Sequence, residues 1–123
     1  MNRQLLPAIL YGVLIVALSS VPGKSFPDIS VLSYDKVIHL AEYAIFGVLV
    51  YLAAYSLRPG NRLLLGLVVL LAGVFGALDE LYQMLIPARD SSFWDWVADV
   101  AGVVIGAVSC RWWINRRDQT TVH

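Results

Sequence analysis

The chain has 123 residues, 59% of them hydrophobic and only 15% charged. That length suits one domain, but a globular chain is nearer about a quarter charged, and a single small core has no room for so much apolar surface. Lipid must be part of its solvent, and a formal net charge of zero gives no support to a nucleic-acid or general polyanion partner.

A bilayer core needs about 20 mostly apolar residues per helix, and four such stretches follow in order. The first is predicted from Leu5 to Val21, stopped by Val21-Pro22-Gly23, a strong turn signal. It has a competing reading as a cleaved signal peptide, with Arg3 ahead of the run and small residues at Ala17 and Ser19. The length of the run and its poor cleavage site weigh against that reading. The second span runs from Asp35 to Leu57 and ends at Arg58-Pro59-Gly60. The third runs from Leu63 to Ile86 and stops at Pro87, and the fourth runs from Phe93 to Ile114, meeting Asn115-Arg116-Arg117. The predicted fold is all-α, a single integral membrane bundle of four transmembrane helices. Cys110 is the only cysteine, which excludes an internal disulfide; it reads as a small residue on an apolar helix.

Orientation follows from the basic residues, which stay on the cytoplasmic side. Arg3, Arg58, Arg62, Arg111, Arg116 and Arg117 lie at one set of span ends, and only Lys24, Lys36 and Arg89 at the other. Both termini are therefore expected inside, with loops 22–34 and 87–92 outside. Trp112 and Trp113 then fall at the inner interface and Trp94 and Trp96 at the outer one, as two aromatic belts.

The acidic residues are placed unevenly. Of nine, only Asp118 falls on the cytoplasmic side. Asp28 and Asp90 are in outer loops, and Asp35, Glu42, Asp79, Glu80, Asp95 and Asp99 lie in or beside the outer halves of spans two to four. At a rise of 1.5 Å per residue, His39 is roughly 6 Å below Asp35, Glu42 roughly 10 Å, and Asp99 about 6 Å below Asp95. Asp79 and Glu80 are roughly 24 Å above Leu63, in the outer third. Helical phase puts Asp35, His39 and Glu42 in one stripe with Tyr43 beside it, and Asp79, Glu80 and Gln83 on one arc above Gly76. Asp95, Asp99, Gly102 and Gly106 share a face of the fourth helix, so its close-packing Gly102-x-x-x-Gly106 surface points the acids into the bundle. A lipid-facing carboxylate would cost several kcal/mol.

Bland readings exist for single members. Asp35 and Lys36 suit interfacial anchors, Asp95 suits a helix N-terminal acid after Ser91 and Ser92, and His39 suits a satisfied internal histidine. Glu42, Asp79, Glu80 and Asp99 together point to a functional site, because ionisable residues inside a membrane are functional by default; a structural polar network is the alternative. Crowded carboxylates in a low dielectric must be protonated, paired with Lys36 or Arg89, or bound to a cation. Mixed carboxylate and imidazole ligands suit a divalent metal, although no compact metal motif is present. His39 and Glu80 are the candidates for general acid–base work. No nucleophile elbow, phosphate loop or zinc-protease motif specifies a reaction, and the sequence does not identify a cofactor. Arg89 is the natural contact for a phosphate or carboxylate. The simplest picture is an outward-opening pocket for a polar head group whose tail lies in lipid.

Asp35-Lys36-x-x-His39-x-x-x-Tyr43 at the start of a membrane helix resembles the first signature of the VanZ-like family. Glu80-x-x-Gln83 followed by Pro87, Arg89, Ser92, Asp95, Asp99 and Gly102 is similar to the second, and Ser20-Val21-Pro22-Gly23 after the first span is also typical. Many members carry Asn where this chain has Asp99, and Glu42 lies outside the signature. The resemblance covers nearly the whole chain. It implies a small four-span protein of a bacterial inner membrane, associated with glycopeptide resistance, teicoplanin in particular. The matching positions coincide with the cluster read from depth and helical phase, and the candidate ligand-binding residues are Asp35, Lys36, His39, Tyr43, Asp79, Glu80, Gln83, Arg89, Asp95 and Asp99. The resemblance implies no settled biochemical activity.

Three functions compete. One is a binding protein for a lipid-linked envelope precursor or lipophilic glycopeptide at the outer leaflet, with membrane lipids as surroundings. Another is a membrane hydrolase or transferase acting on a lipid head group. The third is a small proton-coupled transporter subunit, which would need a homo-oligomer to supply enough helices; the inner halves of the spans carry almost no polar residues to form its path.

Overall fold

A computed structural model describes residues 3–20, 32–86 and 93–121, with side chains for 3–20, 37–86 and 93–117. Four helices account for nearly all of them: α1 (Leu5–Ser19), α2 (Leu32–Leu57), α3 (Leu64–Gln83) and α4 (Phe93–Thr121). No strand occurs among the described residues. Val37–Leu57, Leu64–Gln83 and Phe93–Arg117 are long and apolar enough to cross a membrane. The 15 residues of α1 reach only about 22 Å at 1.5 Å per residue, short of a hydrocarbon core of about 30 Å. It is a shorter apolar helix than the predicted first span.

The helix ends depart from the predicted ones for local reasons. Ser20 closes α1 by bonding back to Val16 through both its backbone N–H (3.0 Å) and its hydroxyl (2.8 Å), and Val21 lies outside the described residues. Helix α2 starts three residues before Asp35. Helix α3 ends at Gln83 and tightens into i→i+3 bonds at Leu85 (3.0 Å) and Ile86 (3.1 Å), which ends the α-helical ladder. Helix α4 continues to Thr121 rather than stopping near Ile114. The guanidiniums of Arg116 and Arg117 lie 5.0 and 4.8 Å from the ring centres of Trp112 and Trp113, so cation and ring pair across one helical turn. The predicted turn after α2 is present. Gly60 takes φ +81°, a left-handed conformation that suits glycine, and Asn61 Oδ1 accepts from Leu63 N–H at 2.9 Å to start α3.

Packing is closest between α2 and α4. A Cβ on Gly47 would lie 2.6 Å from the Val103 carbonyl oxygen, and one on Gly102 or Gly106 would run into the backbone of Leu40 and Ala44. Two helices therefore meet backbone to backbone, as small residues permit in lipid. Beyond that seam the core forms two layers. Tyr51, Leu64, Val68, Ala107, Cys110 and Ile114 fill one end. Ile15, Tyr43, Phe46, Ala72 and Val103 fill the middle. The buried polar residues Ser19, His39, Asp79, Glu80, Gln83, Asp95 and Asp99 occupy the other end, where α1 and α3 finish and α2 and α4 begin. Exposed Leu, Val and Ile on every helix present an apolar outer surface suited to lipid.

Candidate polar site at one end of the bundle

The site is assembled from four helices. His39 lies in the third turn of α2, and its Nδ1 is hydrogen-bonded to Asp99 Oδ1 of α4 at 2.8 Å. The same nitrogen is 3.6 Å from Glu80 Oε1 of α3. One helical turn further along α2, Tyr43 donates its hydroxyl to Asp79 Oδ2 at 3.1 Å. Gln83, one turn beyond Asp79, donates Nε2 to the same oxygen at 3.4 Å and to Ser19 Oγ of α1 at 3.1 Å. A chain of polar contacts thus links the four helices at one level.

Burial makes this arrangement electrostatically demanding. Asp99 is 0% exposed, Asp79 5% and Glu80 6%, and leaving buried polar atoms unpaired carries a desolvation cost. Asp79 Oδ1 and Asp99 Oδ2 are buried and accept no hydrogen bond among the described residues. Gly76 makes room here: Asp99 Oδ2 and the Tyr43 ring would each contact a Cβ at that position, at 3.5 and 3.4 Å. The donor atoms of His39, Glu80 and Asp99 all lie within 4.8 Å of one another.

The residues predicted from helical phase meet as expected in part. His39, Tyr43, Asp79, Glu80, Gln83 and Asp99 come together, and Asp95 is buried one turn before Asp99. Glu42, from the same predicted stripe, is only half-buried. Asp35 and Lys36 fall one turn before His39 on α2, with side chains outside the described ones. Arg89, and with it loop 87–92, also lies outside the described residues.

Four residues escaped the site prediction, beginning with Ser19, Ser20 and Tyr82. Ser19 accepts from Gln83, and the hydroxyls of Ser20 and Tyr82 pair at 2.7 Å. Two adjacent serines closing an apolar helix were the available signal. The fourth is Trp96, predicted as an outer-belt residue. Its indole turns inward instead and donates to the Gly73 carbonyl at 2.9 Å. Gly73 has no side chain to shield that oxygen, whose second lone pair is available beyond the helical bond. Trp94, 65% exposed, keeps the position of a belt residue.

An apolar groove of about 630 Å³ lies beside the site, lined by α1 from Ala8 to Ala17 and by Phe46, Val50 and Phe75. One of its lining residues, Phe46, packs edge-on against the ring of the cluster member Tyr43, 5.9 Å between centroids. The fold and site define a class: a helical membrane protein with a buried acid–imidazole cluster at one end. The chain belongs to the VanZ/LLP1 family, whose model matches residues 5–114, a span that includes every member of the cluster. No curated protein and no solved structure matches it.

Proposed function

We propose that this VanZ-like protein sits in the bacterial inner membrane, both termini in the cytoplasm, and binds a lipid-linked or lipophilic molecule from the outer leaflet. The observation that carries this reading is a buried polar cluster beside an apolar groove, whose lining residue Phe46 packs against the cluster member Tyr43. A head group engages the level of His39, Glu80 and Asp99, with Asp35, Lys36 and Arg89 from the flanking segments. One hydrocarbon chain of the same molecule lies along α1. The family's association with teicoplanin resistance fits a ligand among envelope precursors or lipophilic glycopeptides. Arg3, Arg58, Arg62, Arg111, Arg116 and Arg117 at the end opposite the site support the inward termini.

A second reading uses the same residues chemically. The 2.8 Å bond between His39 Nδ1 and Asp99 is the arrangement by which a carboxylate orients an imidazole, leaving Nε2 to exchange protons with a substrate. The protein would then hydrolyse or transfer a lipid head group.

Native mass spectra of the detergent-purified protein test the binding reading beside a variant carrying Glu80→Gln and Arg89→Ala. The wild type is expected to carry a lipid of defined mass that the variant lacks while remaining folded. Equal lipid occupancy in both overturns the proposal. Turnover of that lipid by the wild type, abolished by His39→Ala, would favour the second reading.

A further inference from the structure

We infer that His39, Glu80 and Asp99 form a binding site for one first-row divalent cation, Zn²⁺ or Mn²⁺, buried in the bundle. The three side chains come from three different helices, and one donor atom from each lies within 4.8 Å of the others. Bonds of about 2.0–2.2 Å place opposite ligands of one ion about 4 Å apart, so the trio is already near coordination distance. The separation of His39 Nδ1 from Glu80 Oε1, 3.6 Å, suits two neighbouring ligands of a shared ion. At 2.8 Å, His39 Nδ1 and Asp99 Oδ1 share a proton instead, and the cation would take that proton's place.

A second observation points the same way. Asp99 Oδ2 and Asp79 Oδ1 are buried oxygens that accept nothing among the described residues, and Asp99 is 0% exposed. A buried carboxylate oxygen with no donor among the described residues calls for a proton, a cationic side chain from outside them, or a metal. An imidazole with two carboxylates is a borderline donor set, which favours Zn²⁺ or Mn²⁺ over the all-oxygen preference of Mg²⁺ and Ca²⁺. Three protein ligands leave coordination positions open. On the reading proposed above, an anionic oxygen of the ligand's head group fills one of them; the site depends on that reading for this last ligand alone.

The test uses the full chain in detergent, with any affinity tag cleaved, stripped with chelator and then offered Zn²⁺, Mn²⁺ or Mg²⁺ alone. Inductively coupled plasma mass spectrometry after desalting is expected to find about one Zn²⁺ or Mn²⁺ per chain, and little Mg²⁺. Asp99→Asn and His39→Gln, which preserve volume, are expected to weaken binding by at least about 100-fold while circular dichroism and gel filtration stay unchanged. Glu80→Gln is expected to do the same. Absence of metal from the wild type, or equal metal in the wild type and all three variants, overturns the site. Because no lipid is added, a negative result here leaves the head-group reading to its own experiment.

Discussion

Gln83 holds two acceptors at once, Asp79 Oδ2 within α3 and Ser19 Oγ on α1. Together with the Ser20–Tyr82 hydroxyl pair, it ties the shortest helix to α3. Interhelical hydrogen bonds in membranes are modest, about 0.6 kcal/mol on average, because the unfolded state in lipid also finds partners. A double-mutant cycle of Ser19→Ala and Gln83→Leu, read by denaturation in mixed detergent micelles, is expected to give a coupling near that value. Coupling of zero would mean that this hydrogen bond adds nothing to the hold on α1. The cluster residues His39, Asp79, Glu80 and Asp99 were legible because helical phase and depth are properties of the chain itself. Ser19 and Trp96 were not, since their partners Gln83 and Gly73 lie on α3, far away in sequence.

At the scale of the helices, the seam between α2 and α4 decides the geometry of the site, because it sets how His39 approaches Asp99. Gly106 presses on the Ala44 backbone with no space for a Cβ. Gly106→Val is therefore expected to force the helices apart, destabilising the fold by about 1–3 kcal/mol or more. Gly66→Ala, on α3 where a Cβ meets nothing within 4 Å, is expected to be neutral or to stabilise by up to about 1 kcal/mol through helix propensity. Thermal unfolding in detergent measures both. Comparable losses from the two substitutions would show that backbone contact is not what holds the seam. Gly102-x-x-x-Gly106 announced one half of this contact in the sequence. The partner surface of Leu40, Ala44 and Gly47 carries no paired-glycine pattern, and only the folded chain reveals it.

Across the whole molecule, six of the nine basic residues lie at the end opposite the buried acids. That polarity makes a prediction about topology. With buried Cys110 replaced by alanine, Ser91→Cys is expected to react with a membrane-impermeant maleimide in intact spheroplasts, and Gly60→Cys only after lysis. The reverse pattern would invert the bundle and put the site in the cytoplasmic leaflet. The apolar filling of the end opposite the site, Tyr51, Leu64, Val68, Ala107, Cys110 and Ile114, offers no polar path among the described residues and weighs against a transporter. By itself the sequence determined the membrane class, the number of helices and the level at which the acids gather, because hydropathy, periodicity and charge placement are local quantities; its signature residues carried the resemblance to the family. Tertiary structure decided which acids share an imidazole, that α1 is tied in by serine and an inward-turned tryptophan reaches α3, and where the apolar groove lies. Those depend on helix rotation and close approach, which are set by packing between segments distant in the chain.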